Sequence, residues 1–87
     1  MVSKDLDPVY GCVQGGHAVA QWLLEHDCGW KNNYLIYLYA DVDEWVEKLN
    51  RDKIDYSIFR EPDLANKITA IAVENDGELF KKLQLVK

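Results

Sequence analysis

Apolar residues recur at helical spacing early in the chain. Val9, Cys12, Val13, Gly16, Ala20, Leu23 and Leu24 fall on one side of a 3.6-residue period. The spacing predicts a first helix over about 8–27 with that stripe turned to the core. Asp7 stands at its N-cap and Pro8 at its first position, so the free amides gain an acceptor and no useful donor is lost. Gly29 is the expected C-terminal cap. Gly11, Gly15 and Gly16 run against this helix, because each glycine in a helix interior costs about 1 kcal/mol relative to alanine. Two readings explain them: backbone packed closely on a sheet, or room for a ligand beside Gln14 and His17.

Residues 30–33 read as a loop, and 34–40 are aromatic and branched throughout, as in a central strand covered on both faces. A second helical stripe, Val42, Trp45, Val46 and Leu49, predicts a helix ending near 52 or 53. Asp41 with Glu44 three residues on has the form of a capping box, and Glu47 with Arg51 that of an i,i+4 ion pair. The pattern then changes to a period of two. Residues 55–60 predict a strand with Tyr56 and Ile58 on one side and Ser57 and Phe59 on the other. Pro62 makes 61–66 a turn. Residues 67–74 predict the antiparallel neighbour, with Ile68, Ala70 and Ala72 alternating against Thr69, Ile71 and Val73. A turn at 75–77 leads to a short helix over 78–83 with Leu79, Phe80 and Leu83 inward, and 84–87 extend along a sheet edge. Residues 1–6 hold too little apolar surface for a good first strand.

This order predicts one α/β domain over 1–87: a small mixed sheet of three to four strands with helices packed on its faces. The link from 34–40 through the second helix to 55–60 reads as a right-handed parallel crossover.

Composition narrows the chemistry. A chain of 87 residues supports a single core. A net charge of −5 disfavours a broad nucleic-acid surface and leaves room for a local basic patch. No apolar run is long enough for a bilayer, and residues 1–6 lack the apolar centre of a leader, so a cytoplasmic protein with no membrane contact is expected. Two cysteines make no disulfide framework, and Cys12, on the apolar stripe, is expected to be buried. Cys12, His17, His26 and Cys28 match no standard zinc spacing, so no metal and no cofactor are expected.

Lys4-Asp5-Leu6 followed by Val13-Gln14-Gly15-Gly16-His17-Ala18 resembles the opening of the type-2 peptidyl-tRNA hydrolases. The likeness continues as order and pattern. Trp30 precedes the apolar strand, Glu61-Pro62-Asp63-Leu64 stands at the family's Asp-Ala-Gly turn, and Thr69-Ala70-Ile71-Ala72-Val73 matches its last strong strand. Gln14, His17 and Ala18 are the close matches. Tyr10 replaces the family's lysine, and the family's first strand is clipped or absent.

The resemblance implies a type-2 peptidyl-tRNA hydrolase-like fold and cleavage of the ester between a peptide and the terminal ribose of tRNA. That chemistry needs an activated water and a stabilised oxyanion. It implies His17, Glu61, Asp63 and Thr69 as catalytic candidates. Lys4, Tyr10, Gln14 and Arg60 are the substrate-binding candidates, with tRNA or peptidyl-tRNA as partner. The other reading is a non-catalytic relative acting as a binding or dimerisation module, a homodimer covering the edge that a missing first strand would leave.

Overall fold

Val2 is fully buried, in the middle of a sheet. The computed structural model describes residues 1–27, 29–32, 34–75 and 77–86. Within these, the chain forms β1 (Val2–Ser3), α1 (Pro8–Glu25), β2 (Tyr39–Ala40), α2 (Val42–Arg51), β3 (Ser57–Glu61) and β4 (Lys67–Ala72). Single 3₁₀ turns occur at Pro62–Leu64 and Glu78–Phe80. The sheet is open and mixed, in the order β2-β1-β4-β3. β1 runs parallel to β2, and β4 is antiparallel to both β1 and β3. Helices cover both faces. Val42, Trp45 and Leu49 of α2 pack with Ala40 and Ile71 on one side. Ala18 of α1 packs with Val2 and Ala70 on the other.

The first strand therefore exists, contrary to expectation. It needs one inward side chain, Val2, because its main chain is held on both sides. Val2 N donates to Leu38 O at 2.7 Å, and Ile71 N donates to Met1 O at 2.8 Å. Conversely, 34–40 is no central strand. Only Tyr39–Ala40 joins the sheet, at its edge, while Tyr34, Leu35 and Ile36 are exposed. A two-residue β1 offers no longer partner. The chain's end covers that edge instead, with Tyr39 N donating to Gln84 O at 2.8 Å and Val86 N to Tyr37 O at 3.0 Å. The crossover through α2 is parallel, but it spans the whole sheet from β2 to β3 rather than joining neighbours.

α1 begins as expected, with the Asp7 carboxylate accepting from Tyr10 N at 2.9 Å. Its orientation is the reverse of the expected one. The buried positions are Gly11, Gln14, Gly15, Ala18 and Trp22. Val9 and Leu24 are 77% and 82% exposed, and Cys12, Val13 and Leu23 also face outward. The glycines explain the choice. A Cβ at Gly11 would stand 3.3 Å from Val2 Cγ2, and one at Gly15 would stand 3.0 Å from the Tyr37 ring. The glycine side alone lets the helix backbone come this close. The helix ends at Glu25 with His26 as cap, its N–H on Trp22 O at 2.9 Å, rather than at Gly29. Cys28 lies outside the described residues.

α2 matches its pattern, with Asp41 accepting from Glu44 N at 3.2 Å. Arg51, however, sits beside Asp52 at 3.6 Å, and the i,i+4 pair is Glu44 with Lys48 at 3.2 Å. The expected last helix is a single 3₁₀ turn, Glu78–Phe80, with Leu79 exposed and Phe80 and Leu83 packed inward. Gly77, at φ +91°, opens that turn, and Asp76 lies outside the described residues. No helix among the described residues is long and apolar enough to cross a membrane.

Candidate functional site

The β3–β4 pairing slips between Phe59 and Arg60: Phe59 faces Ala70, whereas Arg60 faces Ile68. Thr69 is the extra residue. The slip breaks the expected alternation, since Ile68 and Ile71 pack toward α2 while both Thr69 and Ala70 turn toward α1. Such a bulge re-aims a side chain, and here it aims a hydroxyl at the helix.

There Thr69 Oγ1 donates a hydrogen bond to Gln14 Oε1. The other end of the amide, Gln14 Nε2, donates to Glu61 Oε1 at 3.2 Å. One turn earlier on α1, the Tyr10 hydroxyl donates to the same oxygen at 3.1 Å. Gln14 is 1% exposed and Thr69 2%. A buried amide is costly unless both ends are bonded, and these two partners satisfy it and fix its direction. Among the described residues, no protein donor reaches the second oxygen of the half-buried Glu61. The carboxylate is thus anchored through one oxygen and free at the other.

Partial burial raises the Tyr10 pKa. The hydrogen bond to Glu61 and the charges of Glu61 and Asp63 act in the same direction. Tyr10 therefore stays a protonated donor at neutral pH.

Four of the eight candidate residues meet here: Tyr10, Gln14, Glu61 and Thr69. Among the described residues, the other four form no hydrogen bond to these groups. His17 is exposed and lies flat on Phe59, with ring centroids 4.4 Å apart and planes 12° apart. Among the described residues, no hydrogen bond joins it to Glu61. Asp63 is exposed in the 3₁₀ turn. Arg60 Nη1 donates to Asn66 O at 3.2 Å and braces that turn, where Ala65 and Asn66 take left-handed backbone angles. Lys4 is exposed just beyond β1, its N–H on Ala40 O at 3.0 Å.

Two groups were not anticipated. Phe59 supports His17, and its place two residues before Glu61 on a strand of period two is the signal that could have shown it. At the far end of α1, the buried Ser57 hydroxyl donates to Glu25 Oε1 at 2.6 Å and lies 3.4 Å from His26 Nδ1. Gln21 Nε2 donates to the other Glu25 oxygen at 2.8 Å, and His26 stacks on Trp22 at 3.7 Å. The Ser57 bond, then that of Gln21, holds the Glu25 pKa down. The Ser57 hydroxyl donates to the Glu25 carboxylate. It ties the end of the helix to β3.

A cleft of about 520 Å³ opens on the opposite flank of α1, between Trp22, Trp30, Tyr37, Ile71 and Phe80. It does not include Glu61. Among the described residues, no three His, Cys, Asp or Glu side chains gather as metal ligands.

Comparison with known proteins gives no family model, curated protein or solved structure that matches this chain.

Proposed function

We propose that this chain hydrolyses the ester between a peptide and the terminal ribose of tRNA, in the manner of a type-2 peptidyl-tRNA hydrolase, with Glu61 as its base. One observation carries the reading: Tyr10 and Gln14 hold a single oxygen of Glu61, and Thr69 orients Gln14. A water on the unbonded oxygen would be aimed and deprotonated by a carboxylate held at its other oxygen. Tyr10, the neutral donor in the lysine's place, turns its O–H from Glu61 to the developing oxyanion. Asp63 adds negative charge beside this site, while Lys4 and Arg60 supply phosphate contacts at its margin. A cytoplasmic setting is part of this proposal.

Turnover of peptidyl-tRNA tests the proposal. The parent hydrolyses it, and Glu61→Gln slows it about 100-fold or more, the usual loss for a general base. A parent with no turnover overturns the reading.

The second reading, a non-catalytic binding or dimerisation module, is favoured by the outward stripe of α1. Val9, Val13, Gly16, Ala20 and Leu23 are exposed at alternating spacings of four and three residues. Sedimentation over a range of concentrations checks it. A homodimer on this face dissociates in a Val13→Glu/Leu23→Glu variant, and a parent that stays monomeric excludes it.

A further inference from the structure

We infer that His17, laid on Phe59, is the stacking platform for the nucleobase attached to the scissile ester. The inference rests on the hydrolase reading above and deepens it. Phe59 covers one face of the imidazole at 4.4 Å, and the residue as a whole is exposed, so the other face is open to solvent. The nearly parallel planes hold the ring at a fixed tilt. A histidine held in this way presents a flat π-surface on which any base can stack.

Position links the platform to Glu61. His17 follows Gln14 by three residues, about 4.5 Å along α1. Phe59 precedes Glu61 by two residues, about 7 Å along β3, and both side chains meet α1. The scissile ester has an acyl side and a ribose side. A base stacked on His17 sets the ribose between the platform and Glu61, with the ester oxygen toward the carboxylate. The imidazole thus acts as a positioning residue and takes no part in proton transfer.

Two measurements test this. The first needs no catalysis: titration of the protein into 2-aminopurine riboside, whose fluorescence is quenched by stacking. Parent and His17→Phe are expected to quench with similar affinity, and His17→Ala to bind about tenfold more weakly. Equal binding by His17→Ala and the parent overturns the platform. The second compares N-acetyl-phenylalanyl adenosine ester with the methyl ester of the same amino acid. His17→Ala is expected to cut the preference for the adenosine ester about tenfold, through KM, and His17→Phe to restore it. If His17→Ala instead cuts the preference for phenylalanyl over alanyl methyl ester, the ring serves the peptide and the base assignment is wrong. If the parent cleaves neither ester, the hydrolase reading fails by itself, and the quenching titration still decides the platform.

Discussion

Thr69 Oγ1 donates to Gln14 Oε1, and this contact between β4 and α1 determines which way the Gln14 amide faces. With its oxygen taken, the amide must turn its NH₂ toward Glu61. Thr69→Val keeps the shape and removes the donor, leaving a buried carbonyl oxygen unpaired. The expected cost is about 1–3 kcal/mol of stability in urea denaturation. Thr69→Ser should keep most of it. A Thr69→Val chain as stable as the parent would mean that the bond does not hold the amide.

Gly15 and Gly16 are adjacent, yet alanine should act on them with opposite sign. At Gly16 the nearest atom to an added Cβ is Tyr37 Oη at 3.8 Å, so Gly16→Ala should stabilise α1 by up to about 1 kcal/mol. At Gly15 the Cβ meets the Tyr37 ring at 3.0–3.2 Å, so Gly15→Ala should destabilise by about 1–3 kcal/mol. Replacing Tyr37 by alanine should abolish that penalty. Thermal melts of the variants check both signs.

Met1 pairs with Ile71 on β4, its amine donating to Ile71 O at 2.6 Å. Burial lowers the pKa of that amine from 8.0 to about 6. The folded chain therefore binds fewer protons than the unfolded chain between these values, and stability rises with pH across the window. The gain from pH 6 to 8 should be roughly 2 kcal/mol, and below pH 6 it is absent. Denaturation at each pH, in a His17→Gln/His26→Gln background that removes the imidazoles, reads the slope. A flat profile contradicts it.

Glu25 shows the opposite case. The Ser57 hydroxyl and the Gln21 amide depress its pKa, so its contribution is present above the ordinary carboxylate pKa and fades as pH falls through the folded value. Ser57→Ala should raise the Glu25 pKa and reduce the acid sensitivity of unfolding, as NMR titration and acid melts would show. An unchanged Glu25 titration would remove Ser57 as the cause.

Much of the site was legible because its residues carry ordinary signals. Tyr10 and Gln14 lie one helical turn apart on a helix opened by Asp7 and Pro8. Glu61 ends a strand at a proline turn, and Thr69 lies inside the next, which begins at Lys67. The orientation of α1 was not legible. Hydrophobic spacing identifies a buried face only when side chains do the burying, and at Gly11 and Gly15 the backbone does it. The same limit hid β1, whose place comes from main-chain bonds around one valine. Residues 34–36 have strand-like side chains, but a two-residue neighbour gives them nothing to pair with. The slip at Phe59/Arg60 leaves no mark in an alternating pattern, although it aims Thr69 at Gln14.

Single-turnover hydrolysis of an N-acetyl-aminoacyl-tRNA by the parent and by Glu61→Gln, side by side at neutral pH, probes the anchored carboxylate most directly. The expected result is release of the acylated amino acid by the parent and a rate at least about 100-fold lower for Glu61→Gln. Equal rates for the two proteins would contradict the account.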